Sequence, residues 1–131
     1  FFEKDPIDWK QGENCDYGAL LKELIAFRKA NPALANGQWG ARMVKVETDR
    51  PEQVFAWARQ LDGNKVVALF NFTGAPVTAK LADGLAAGRY KEFRSGGDVT
   101  MKAGDSVTVP ANGYRLLSTM SAQSAPPIME R

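Results

Sequence analysis

A single stretch of helical spacing, followed by none, is what most constrains this chain. Tyr17, Leu20, Leu21, Leu24 and Ile25 recur at intervals of three and four, with Phe27 at the edge of the stripe, so these side chains share one face of an α-helix over Tyr17–Ala30. Asp16 is a suitable N-cap, and Asn31-Pro32 ends the helix because proline biases the residue before it out of the helical region. Lys22, Glu23 and Lys29 take the opposite face. From Ala41 onward the pattern changes to short β-branched and aromatic runs separated by turn formers. Strands are expected at Arg42–Glu47, Gln53–Gln60, Lys65–Phe72, Val77–Leu81, Gly88–Phe93, Val99–Lys102, Ser106–Val109 and Tyr114–Ser118. The fold class is therefore mainly β: an antiparallel β-sandwich of Greek-key type, about eight strands, preceded by one α-helix.

Turn chemistry supports those boundaries. Asp62-Gly63 marks a hairpin, because both residues tolerate positive φ. Gly74-Ala75-Pro76, Asp83-Gly84, Ser95-Gly96-Gly97-Asp98, Ala103-Gly104-Asp105 and Ala111-Asn112-Gly113 mark the later turns. Val66-Val67-Ala68-Leu69-Phe70 is apolar without alternation, so that strand should be central and covered on both faces. Residues 1–16 read as loop, through Asp5-Pro6, Gly12 and Asn14. Residues 120–131, rich in Ser, Ala, Gln and Pro, show no periodicity and are expected to form a disordered tail.

Several kinds of chemistry are excluded by composition. With no histidine, the chain has no Ser-His or Cys-His nucleophile pair and no His-containing metal site. The single Cys15 makes neither an internal disulfide nor a thiolate cluster. No cofactor is implied. A formal charge of +2 spread through the chain gives no basic stripe for nucleic acid and no polybasic membrane anchor, and no apolar run is long enough to span a bilayer. Phe1-Phe2-Glu3-Lys4-Asp5-Pro6 is too charged for a secretory signal, and it begins without Met as if cut from something longer.

The remaining candidates are few. Asp5 and Asp8 flank Trp9, but they share one short loop with Lys4 and Lys10, and nothing fixes the separation that a glycosidase pair requires. Ser95-Gly96-Gly97-Asp98 lacks the Lys-Ser/Thr of a phosphate loop. Asn71-Phe72-Thr73 matches a glycosylation acceptor at the end of the expected central strand. Trp39, Trp57, Tyr90 and Tyr114 offer flat faces for stacking on sugar rings if they line one exposed surface; otherwise they fill the core or the seam with the helix. The sugar-stacking set is Trp57, Tyr90 and Tyr114. Trp39, between Gly37 and Gly40, reads as a plug at the helix-to-sheet junction. Arg28 projects from the middle of the apolar stripe. Either its stem covers apolar surface while its head reaches carbonyls or water, or a buried guanidinium holds a carboxylate or loop carbonyls. Both readings make it a residue of the structural junction.

Two segments carry a resemblance. Phe1 to Trp9, then Leu24-Ile25-Ala26-Phe27-Arg28-Lys29-Ala30-Asn31-Pro32-Ala33-Leu34, resembles the end of the catalytic (β/α)8 barrel of an α-amylase-family glycoside hydrolase, with its last helix and exit. Val54 to Arg59, Lys65 to Thr73 and Val109 to Leu117 are similar to that family's C-terminal β-sandwich. The resemblance covers Phe1 to about Ser118 and implies three parts. Residues 1–39 would be the end of the barrel, 40–119 the sandwich and 120–131 the tail. The family's catalytic acids would lie upstream of Phe1, so no catalytic residue is carried over. The implied role is a non-catalytic C-terminal domain that stabilises the barrel of an enzyme acting on α-glucans such as starch, glycogen or maltooligosaccharides. The alternative is a module that holds α-glucan through exposed aromatics. The implied partner is the missing barrel, with α-glucan as a further ligand, and the barrel-facing helix surface is a place for self-association. The parent enzyme would be secreted, periplasmic or on the cell surface.

Overall fold

The computed structural model describes residues 16–82 and 84–119, Asp16 by its backbone only. The expectations for the loop bearing Asp5, Asp8, Trp9 and Cys15, for Asp83 and for the tail lie outside the described residues.

Helix α1 spans Asp16–Ala30, and short 3-10 turns follow at Pro32–Leu34 and Gly37–Trp39. The strands are β1 (Val44–Val46), β2 (Val54–Leu61), β3 (Asn64–Asn71), β4 (Val77–Lys80), β5 (Gly88–Glu92), β6 (Asp98–Met101), β7 (Ser106–Val109) and β8 (Tyr114–Ser118). Each coincides with an expected strand to within about two residues, the usual scatter of element ends. A six-stranded sheet has the order β1-β2-β3-β8-β5-β6, and β4 pairs with β7 in a second, two-stranded sheet. All these pairings are antiparallel. The connections β3–β4, β4–β5, β6–β7 and β7–β8 therefore cross between sheets.

Alternation decides what each face meets. Val54, Ala56 and Ala58 of β2 and Val67 and Leu69 of β3 point between the sheets. There they meet Val77 and Ala79 of β4, Val107 and Val109 of β7, Leu117 and Met101. The other face of β3 carries Val66, Ala68 and Phe70, and Val66 through Leu69 are all fully buried. The unbroken apolar run thus marks a strand covered on both sides. In the β2–β3 hairpin Leu61 pairs with Asn64, leaving a two-residue loop whose positive φ is taken by Asp62 at 52°.

The second cover is α1 with the turn after it. Phe27 and Ala30 are buried, and Phe27 meets Phe93 edge-on at 5.3 Å between ring centroids. Glu23 bonds the Arg94 guanidinium at 2.6 Å across the same seam. The sheet buries the edge of the helical stripe and leaves its centre open: Tyr17, Leu21 and Ile25 are 73, 57 and 52 % exposed.

Candidate functional site: the groove beneath the helix

Register sets the outer face of the large sheet in rows. Phe55, Phe70 and Tyr114 form one, Trp57, Ala68 and Leu116 the next, and Arg59, Val66 and Ser118 the third. Ala68 is the small member between two large side chains, so the middle row is hollow. The helix exit closes the third row, while the other two stay partly open. The result is a groove of about 490 Å³ lined by residues that include Trp57, Phe70, Tyr114, Leu24, Phe27 and Leu116. Its polar rim is Arg28, Asn36 and Arg59.

Two hydrogen-bonded knots hold the helix end to the sheet. The Asn31 side chain is fully buried. Its Nδ2 donates to the Phe27 carbonyl at 2.7 Å, and its Oδ1 accepts from Asn64 Nδ2 at 2.8 Å and from Ser118 Oγ. Asn64 Oδ1 in turn accepts from the Ala33 amide at 2.8 Å. Arg59 makes the second knot, with Nε donating to the Ala41 carbonyl at 2.7 Å and Nη2 to the Ala35 carbonyl at 3.1 Å. Gly40 lies so close that a Cβ there would stand 1.9 Å from the Ala35 carbonyl oxygen and 2.7 Å from Arg59 Nη2.

The expected site residues divide accordingly. Trp57 and Tyr114 line the same groove. Tyr90 does not join them: it is 3 % exposed within the core, its hydroxyl donating to the Ala86 carbonyl at 2.8 Å. Burial pushes its phenol up to about 12, and the ring offers no face to a ligand. It points inward because Arg89 and Lys91, its neighbours in alternation, take the solvent side. Arg28 and Trp39 line a hollow of about 300 Å³ at the helix exit. Trp39 is 57 % exposed and so plugs nothing. Arg28 is also exposed, and its guanidinium has no hydrogen bond or ion pair among the described residues. The buried-guanidinium reading is thereby corrected; the carbonyls of the junction are held by Arg59. Neither Arg59 nor the Asn31–Asn64 pair stood out in the sequence, because their partners lie 18 to 33 positions away.

Asn71 of the glycosylation motif is 2 % exposed. Its Nδ2 donates to the carbonyls of Ala75, Val109 and Pro110 at 2.8, 3.2 and 3.1 Å, and its Oδ1 accepts from the Thr73 amide at 2.9 Å. In this fold it is an anchor for the β3–β4 and β7–β8 connections. Among the described residues no group of three or more Cys, Asp or Glu side chains is placed to hold a metal ion, and no helix is long and apolar enough to cross a membrane.

Comparison with known proteins agrees with this architecture. Residues 46–126 match the family model of the alpha amylase C-terminal all-beta domain, and the chain belongs to that family. The crystal structure of AmyP in complex with maltose is similar, with a TM-score of 0.62 at 14 % identity over 87 % of this chain and 22 % of that one. So is CldA, a cyclomaltodextrin glucanotransferase with a three-domain ABC distribution, with a TM-score of 0.63 at 20 % identity over 89 % of this chain and 24 % of that one. This chain spans less than a quarter of the length of either. At such identities the likeness is one of fold. No curated protein sequence matches the chain.

Proposed function

We propose that this chain is the non-catalytic C-terminal part of an α-amylase-family enzyme acting on α-glucans, and that sandwich and α1 together brace the catalytic barrel. The observation that carries this is the half-covered stripe of α1. Phe27 and Ala30 are buried while Tyr17, Leu21 and Ile25 are exposed, an arrangement that a helix takes when it is packed from two sides. Membership of the C-terminal all-beta family supports it, as does the fraction of the two larger chains that this one spans. On this reading residues 1–39 belong to the barrel and 40–119 to the sandwich. The purified chain releases no reducing sugar from soluble starch or glycogen at any pH, whereas the longer chain containing it does. Turnover by the pure chain contradicts the reading.

A second reading rests on Trp57 and Tyr114 sharing one groove with Arg28, Arg59 and Asn36. Flat rings beside forked donors suit a sugar ring and its hydroxyls, so the groove would hold α-glucan and raise its concentration near the enzyme. Affinity electrophoresis in glycogen decides: retardation that disappears in Trp57→Ala supports it, and unretarded migration of the wild type rejects it.

A further inference from the structure

The tripeptide Ala-Asn-Gly occurs twice in the chain, at Ala35-Asn36-Gly37 and Ala111-Asn112-Gly113. Glycine after asparagine leaves the next amide unshielded by a Cβ, so its nitrogen can approach the asparagine side-chain carbonyl carbon. The fold treats the two nitrogens differently. The Gly113 amide donates to the Pro110 carbonyl at 3.1 Å, and the Gly113 carbonyl accepts from the Asn71 amide at 2.9 Å. Asn112 is itself tied by its amide to the Thr73 carbonyl at 2.8 Å. The turn is also crowded: a Cβ on Gly113 would stand 2.7 Å from Pro110 Cγ. Gly37 is the opposite case. It opens a short 3-10 turn, whose first amides have no partner within the turn. Neither its amide nor the Asn36 side chain makes a hydrogen bond among the described residues. Asn36 to Trp39 are all exposed, and a Cβ on Gly37 would meet nothing within 4 Å.

Exposure does not separate the two sites, since Asn112 is exposed as well; the engaged amide does. We propose that Asn36 is a site of spontaneous deamidation and that Asn112 is protected from it by its turn. Solvent base takes the proton of the Gly37 amide, whose nitrogen bonds to Asn36 Cγ. The Cγ–Nδ2 bond breaks, and Nδ2 leaves as ammonia with a proton returned from water. Water then opens the cyclic imide at either carbonyl, giving aspartate or isoaspartate at position 36. The new charge falls on the rim of the groove, where Asn36 stands with Arg28 and Arg59. The isoaspartyl product also adds a methylene to the backbone between Ala35 and Ala41, whose carbonyls Arg59 holds. Ageing at this one residue therefore acidifies the groove and loosens the helix exit, whatever the longer chain does.

Peptide mapping of the folded 131-residue chain, incubated in mildly alkaline buffer, follows both sites in one sample. Asn36 should convert at least about tenfold faster than Asn112, because the Gly113 nitrogen reacts only after its hydrogen bond opens. In concentrated urea the two rates should converge, since only the fold then distinguishes two sites with the same preceding residue. Asn36→Gln, which lengthens the side chain and disfavours the ring, should abolish the early acidic species on ion exchange. An intact Asn36, or equal conversion of the two sites in the folded chain, overturns the proposal. So does a rate ratio unchanged by urea, because the local sequence then sets it. The isoaspartyl fraction should melt at least about 2 °C below Asn36→Asp, which carries the same charge on an ordinary backbone; equal melting overturns the loosening of the helix exit.

Discussion

Asn64 Nδ2 donates to Asn31 Oδ1 at 2.8 Å across 33 residues of sequence, and through that bond the end of the helix is fixed to the start of the central strand. Both side chains are buried. Among the described residues no buried side-chain nitrogen or oxygen lacks a partner, so the knot is complete and costly to open. The end of the helix is therefore packed into the sheet, while the face bearing Tyr17, Leu21 and Ile25 stays open.

Asn31→Leu should lower the unfolding free energy by about 2–4 kcal/mol, since it removes the buried Oδ1 that accepts from Asn64 Nδ2 and the Nδ2 that donates to the Phe27 carbonyl. Urea denaturation measures it. If Asn64→Leu costs a similar amount and the double variant costs much less than the sum, the two side chains act as one unit. Simple additivity of the two costs contradicts the knot.

Two glycines should respond differently to the same methyl group. Gly40→Ala puts a Cβ into the Ala35 carbonyl and the Arg59 guanidinium, and should cost about 2–4 kcal/mol. Gly63→Ala meets nothing within 4 Å and should change stability by less than about 0.5 kcal/mol. Melting curves of the pair give the contrast.

Alkaline titration should reveal Tyr90. Its folded phenol titrates at about 12 against an ordinary 10.0, so the folded state holds this proton more tightly than the unfolded one. The resulting stability is fully present below about pH 10 and is lost as the pH rises through about 12. Lys65 works the other way: burial lowers its pKa, and its charge penalises the folded state until the proton is lost. A late tyrosinate component should appear together with loss of β-sheet circular dichroism and vanish in Tyr90→Phe. Full tyrosinate absorbance at about pH 11 with the sheet signal intact would contradict the buried ring.

Asn71→Asp replaces an amide donor by a carboxylate oxygen facing the carbonyls of Ala75, Val109 and Pro110. The repulsion and desolvation should cost about 3–5 kcal/mol at neutral pH. A variant that melts like the wild type shows that these connections do not depend on the Asn71 amide.

What the sequence made legible is what local periodicity encodes. The eight strands follow from alternation and turn residues, and the doubly covered β3 follows from the unbroken run Val66–Phe70. The inward turn of Tyr90 was legible in the alternation Arg89-Tyr90-Lys91, whose charged members take the solvent side, but the bond from its hydroxyl to the Ala86 carbonyl was not. Nor was the division of the helical stripe. Periodicity shows which residues share a face, but only the packed fold shows that the sheet takes Phe27 at the edge and leaves Leu21 at the centre. Arg28 and Arg59 are alike as sequence; their roles diverge because Arg59 lies beneath the returning chain at Ala35 and Ala41.

The central claim is that sandwich and helix brace a catalytic part of the same longer chain. Removing residues 44–119 from that chain and measuring its half-life at elevated temperature, alongside its rate on soluble starch, tests this most directly. The account predicts that the half-life collapses by an order of magnitude or more, whether or not the remaining protein still turns over substrate. An unchanged half-life at an unchanged rate would contradict it.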